Sequence, residues 1–233
     1  MTPYYGLTEG GLKRTGRDAR VLPRTTIYDP ALTVDLPPRT SAASGMNAIA
    51  HAVEALYATD RNPLVSRLAE AAIRDLARSL PLVVREPENL AARSAALEGA
   101  WLAGGALGAV GMALHHKLCH TLGGTFNLPH AETHAVVLPH ATAYNAKAAP
   151  DAMAIVTAAL GATEAASGLH DLARTIGAPL SLRELGLRER DLDRAATLAL
   201  THPYANPRPL AEAAIRALLD DAFHGRRPRA SPS

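Results

Sequence analysis

Aromatic side chains are scarce in this chain. They make up 4% of its 233 residues while 48% are hydrophobic, so the core must be built mainly from Ala, Leu and Val, a composition that favours tightly packed helices. Cysteine occurs once, at Cys119, which excludes an intrachain disulfide and points to a reducing, cytoplasmic compartment. Neither sign of charge dominates: 24 Lys and Arg face 22 Asp and Glu, a formal +2 that gives no reason to invoke nucleic acid. The basic residues Arg226, Arg227 and Arg229 close the chain, and 226–233 read as a solvated, disordered tail. No basic-plus-apolar leader opens it. The apolar run from Gly99 to Leu114 is shorter than the ~20 residues that span a bilayer, so no membrane partner is expected. That run reads as a buried central helix whose small side chains let neighbours approach closely. A dinucleotide fingerprint is also missing, because neither Gly10-Gly11 nor Gly104-Gly105 follows a strand and opens a helix.

What is present is helical periodicity. Residues 1–40 hold short extended pieces broken by Pro and Gly, with Arg24 to Tyr28 the clearest, and read as strands without partners. From Ser44, a fair N-cap, a first amphipathic helix runs to Ala58. Asn62-Pro63 opens a second, to about Leu80. A third pattern runs from near Glu88 to about Cys119, and Gly123-Gly124 is read as the end of the helix that carries His116 and His120. Further helices are expected over 132–145, 151–160, 164–176, 182–185, 189–200 and 209–223, with Gly177-Ala178-Pro179 and His202-Pro203 as breaks. The fold class is mainly α, a multi-helix bundle over 44–225 behind a short extended or β appendage.

Four imidazoles crowd into residues 115–130. His116 and His120 are four apart, one above the other on a helix face, and His130 follows a Pro that lets the chain turn back. Asn47 and His51 repeat the spacing on another helix, so two helices offer polar groups to a common point. His115 points to another face and reads as structural. His134 reads equally well as a residue supporting the site and as a bystander. His140, His170, His202 and His224 are assigned to the surface or to caps. Cys119 lies off the His116–His120 face, as a packing residue or a reactive bystander.

These residues resemble a known family. The run Ser44-Gly-Met-Asn-Ala-Ile-Ala-His51-Ala-Val-Glu-Ala-Leu-Tyr57, then His116-Lys-Leu-Cys-His120-Thr-Leu-Gly-Gly and Leu128-Pro-His130, is similar to the iron-containing alcohol dehydrogenase superfamily, and within it to the maleylacetate reductase subgroup. Tyr5-Gly-Leu-Thr-Glu-Gly-Gly-Leu-Lys-Arg-Thr-Gly16 and Arg24-Thr-Thr-Ile-Tyr-Asp-Pro30 also resemble that subgroup. The resemblance implies a dehydroquinate synthase-like helical C-terminal domain that holds the catalytic site. Residues 1–40 would then be the remnant of a nucleotide-binding α/β domain, and the chain a fragment, expected to be inactive or nearly so alone.

The resemblance also assigns roles. It places metal ligands at Asn47, His51, His116 and His130, and His120 beside substrate and nicotinamide, with His51, His116, His120 and His130 as the catalytic set. Asn47 stands where the metal-dependent members have Asp, which removes a negative charge and should weaken a divalent ion; the subgroup is held not to require metal. Thr8 and Lys13 would approach the NADH or NADPH coenzyme, although an exposed polar hairpin explains them equally well. The implied reaction reduces maleylacetate, a dianionic enone, to 3-oxoadipate in aromatic-compound degradation. A protonated imidazole cluster, with Lys117 nearby, would stabilise the enolate, and His120 or a neighbour would supply the proton. Two alternatives stand beside it: a metal-dependent alcohol dehydrogenase domain holding iron or zinc, and a non-catalytic helical fragment. A homodimer is a candidate assembly.

Overall fold

The computed structural model describes residues 4–9, 12–201 and 204–228. It opens with an antiparallel hairpin of β1 (Tyr4–Glu9) and β2 (Leu12–Arg17), in which Thr8 lies opposite Lys13. The two extended pieces therefore partner each other. Arg24 to Tyr28, expected as a strand, joins no ladder. The helices are α1 (Pro38–Tyr57), α2 (Pro63–Arg85), α3 (Leu90–Ala109), α4 (Leu114–Phe126), α5 (His130–Asn145), α6 (Pro150–Leu160), α7 (Ala165–Thr175), α8 (Leu192–Ala199) and α9 (Glu212–His224), so the mainly helical expectation holds.

Several boundaries differ, each for a packing or capping reason. Helix α1 starts at Pro38 because Ser41, Ala42 and Ala43 are already buried; Ser44 is an exposed mid-helix residue and not the cap. Asn62 does cap α2, its side chain accepting from the Val65 N–H at 3.0 Å. That helix continues through Pro81 to Arg85, because Leu80 and Val83 on either side are buried and their burial offsets the missing backbone bond.

The pattern from Glu88 to Cys119 is two helices, with α4 turned 98° from α3. Carboxylates from a distant part of the chain make the break: both Asp60 oxygens accept from the Gly111 N–H, and Glu54 accepts from the N–H groups of Ala113 and His115. These are donors a new helix N-terminus leaves open, and the negative charge suits the helix dipole there. Gly123-Gly124 does not stop α4. The helix ends one turn later at Asn127, which takes the left-handed conformation (φ 54°) that Asn tolerates.

The buried central helix is α5, from its second turn onward, and not α3. Every residue from Thr133 to Asn145 is buried, whereas α3 buries one face and leaves Trp101 50% exposed. The close approach expected of the small residues is present: a side chain at Gly99 would meet Leu76 Cγ at 2.8 Å and the Ala72 carbonyl at 3.3 Å. One core gathers α1, α2, α3, α6 and α7, the other α4, α8 and α9, and α5 contributes Leu138 to the first and Val137 and Tyr144 to the second.

Towards the C-terminus, 182–186 is a turn rather than a helix, and 189–200 is a 3-10 turn (Glu189–Asp191) leading into α8. Residues 150–175 are apolar enough to cross a bilayer, with a mean hydropathy of 1.4, but Gly161 in the left-handed region and the Glu164 cap divide them into α6 and α7. The His202-Pro203 break and the tail from Arg229 lie outside the described residues. The start of that tail is held: Arg226 pairs with Asp220 and Asp221, and Arg227 with Asp171 at 2.6 Å. These ion pairs tie down Arg226 and Arg227, which the sequence assigned to the tail.

Candidate active site

Helices α1, α4 and α5 bring the sequence-derived set together. His51 stacks on His116 with ring centroids 5.1 Å apart, His116 meets His120 edge-on at 6.1 Å, and His120 stacks on His130 at 6.4 Å. Asn47 lies one turn before His51 on the same face of α1. The 98° turn before α4 aims its first two turns at α1, and the Asn127 cap reverses the chain so that His130 opens α5 beside them. His116 is buried, while His120 and His130 are exposed at the mouth.

His134 belongs inside this group. Its ring lies 4.4 Å from His130, 5.0 Å from His116 and 6.2 Å from His51, and its Nδ1 is 2.9 Å from His115 Nε2. His115 is indeed on another face, fully buried beneath the site, with Cys119 Sγ 3.7 Å from its Nε2. His140 and His170, expected at the surface or in caps, are buried, His140 within α5 and His170 on the face of α7 that also buries Leu169 and Ala173. His224 behaves as expected, its Nδ1 lying 3.0 Å from the Asp220 carbonyl oxygen. Thr8 and Lys13 face each other across the hairpin; their side chains are outside what the structure describes.

The sequence reading missed Glu54. This carboxylate is fully buried, its Oε2 2.6 Å from His116 Nδ1, and it accepts from two backbone N–H groups at the start of α4, at 3.0 and 2.7 Å. The Tyr57 hydroxyl also points at it, at 3.4 Å. Burial alone would push its pKa up. The interaction with His116 and the hydrogen bonds overcome that and hold it down at about 2, so it is ionised. The only signal in the sequence is its place three residues after His51 on the same helix. Tyr204 is a second omission: its hydroxyl is buried without a partner, burial pushes its pKa up, and the Lys117 ammonium lies 5.8 Å from its ring.

Within the expected cationic cluster, His51 does not carry the charge. Burial, then repulsion from neighbouring imidazoles, pushes His51 down to about 3 and holds His115 and His134 well below the usual histidine range. Those three rings are neutral at pH 7, and the fixed charge beside them is the negative one of Glu54. Neutral imidazoles are the form that binds a metal. Asn47 Oδ1 and His116 Nε2 are buried with no hydrogen-bond partner, and the carboxylate behind His116 is the arrangement that orients a metal-bound imidazole. The residues present therefore fit a divalent cation, with Glu54 returning, one residue removed, the negative charge that Asn47 lacks.

Comparison with known proteins decides the family. Residues 41–223 match the model of the Fe-containing alcohol dehydrogenase family, C-terminal. The chain belongs to this family. It is 57% identical over 228 residues to the maleylacetate reductase of Burkholderia cepacia, covering 98% of this chain and 65% of that protein. The crystal structure of the maleylacetate reductase from Agrobacterium tumefaciens superposes with a TM-score of 0.94 at 53% identity, over 97% of this chain and 65% of that one. The iron-containing alcohol dehydrogenase from Corynebacterium glutamicum gives 0.90 at 43%, over 95% and 63%. The chain thus spans just under two thirds of the length of these relatives, and the helical fold implied by the resemblance is the family's C-terminal domain.

Proposed function

We propose that this chain is the catalytic helical part of an oxidoreductase that reduces maleylacetate to 3-oxoadipate with NADH or NADPH. The observation that carries the reading is the His116–Glu54 pair at 2.6 Å, set in an imidazole pocket where Asn47 stands in place of a carboxylate. The 57% identity to a maleylacetate reductase supports the substrate.

Among the described residues no strand, glycine-rich turn and helix follow one another to cradle a pyrophosphate, so these residues serve the substrate side of the reaction. When bound, the nicotinamide supplies the hydride. Hydride addition to the carbon-carbon double bond moves negative charge onto the substrate carbonyl oxygen. With its Nδ1 hydrogen-bonded to Glu54, which fixes the ring's orientation, His116 presents Nε2 to the pocket, where it donates to that oxygen. His120, exposed one turn further along α4, is placed to protonate the enolate carbon and recover its proton from solvent. In the metal-bound alternative, Asn47, His51, His116 and His130 would hold a divalent cation, which would polarise a carbonyl oxygen in place of the His116 hydrogen bond. A cytoplasmic location suits a chain with one buried cysteine.

The test uses a chimera of this chain with the N-terminal third of the Burkholderia cepacia relative. Maleylacetate-dependent oxidation of NADH or NADPH, retained after exhaustive chelation, is the expected result. Alcohol-dependent reduction of NAD with no turnover of maleylacetate, restored by iron or zinc after chelation, would replace this reading with the metal-dependent alcohol dehydrogenase.

A further inference from the structure

Directly beneath the pocket lies a second group of donors that the proposed reaction does not use. His115 and Cys119 are four apart on α4 and so share one face, and α5 lays His134 across them. Their donor atoms, His115 Nε2, Cys119 Sγ and His134 Nδ1, lie within 4.8 Å of one another, and all three residues are buried. This is the one such group of His, Cys, Asp or Glu found among the described residues.

We infer that His115, Cys119 and His134 form a closed coordination site for a soft monovalent cation, Cu⁺, held by two imidazoles and one thiolate. The spacing supports it. Ligands bound at 2.0–2.3 Å and separated by tetrahedral to trigonal angles stand about 3.4–3.7 Å apart. The sulfur is 3.7 Å from His115 Nε2, and the two nitrogens, now 2.9 Å apart, need to open by about half an ångström. Two imidazoles and a cysteine in trigonal array are a copper donor set.

Charge selects the oxidation state. The cysteine sits among Leu118, Leu122 and Val137 in an apolar core, and both imidazoles are buried beside it. An uncompensated charge there is costly. Cu⁺ with one thiolate and two neutral imidazoles is neutral overall, whereas a divalent ion leaves a net positive charge. On binding, the thiol proton goes to solvent and the S–Cu bond forms. The proton between the two rings moves to the outer nitrogen of the ring that carries it. One Cu⁺ enters, one H⁺ leaves, and nothing is oxidised or reduced.

The test is an anaerobic titration of the folded chain with Cu⁺ against a chromogenic Cu⁺ chelator, alongside Cys119→Ser, His134→Asn and His51→Ala. The native chain is expected to withhold one Cu⁺. Cys119→Ser and His134→Asn should each bind about 100-fold more weakly or worse, and His51→Ala should match the native chain. Copper X-ray absorption on the native complex should show one sulfur neighbour, which decides the matter if a variant fails to fold. The inference is overturned if the native chain withholds no copper, if Cys119→Ser withholds it equally, if His51→Ala loses it, or if the absorption spectrum shows no sulfur.

Discussion

At the scale of residues, Glu54 holds the site together, since one buried carboxylate anchors His116 and also caps the helix that carries it. Replacing it by Gln keeps the size but turns an amide N–H₂ towards a donor. The expected cost is about 2–3 kcal/mol of stability, because a buried charge-assisted network is left partly unmatched. Denaturant unfolding of Glu54→Gln against the native chain measures this, and an unchanged midpoint would contradict it. The sequence made Asn47, His51, His116, His120 and His130 legible because four-residue spacings on two helices project to one place. It hid Glu54, because an acid on an amphipathic helix looks like part of a solvated face until a partner 62 positions away is known. The same limit hid the burial of His140 and His170, whose surroundings come from other helices.

At the scale of elements, the sequence showed where helices exist better than where they end. Asn62 announces α2 by its own side chain. The break between α3 and α4 has no local equivalent, because it depends on Asp60 and Glu54, which lie 51 and 59 positions away from the groups they cap. The close packing of α3 on α2 depends on Gly99, with Leu76 Cγ and the Ala72 carbonyl filling the space a side chain would need. Gly99→Val should force the two helices apart and cost about 1–3 kcal/mol, read as a lower urea midpoint. A fully native midpoint would mean that the contact is not tight.

At the scale of the whole molecule, the buried histidines set the response to acid. His140, pushed down to about 4 by burial, stays neutral in the folded chain while its unfolded counterpart charges below about 6.5. The unfolded state therefore binds more protons between those values, and stability falls as pH drops, by up to about 1.4 kcal/mol per pH unit for each such group. His51 adds to this fall with a value near 3. Glu54 acts lower: its advantage is complete above about 4.5 and is lost towards about 2. Stability should thus decline from near pH 6.5, and His140→Asn should flatten the decline down to about pH 4. An equal slope in both proteins would show that His140 titrates in the folded state. The central claim, that the imidazole pocket performs the reduction, is tested most directly by kcat for maleylacetate in the chimera, comparing native His116 with His116→Gln. A fall of about 100- to 1000-fold in kcat is the predicted result, since one oriented donor to the developing oxyanion is lost; a kcat within about twofold of the native chimera would contradict it.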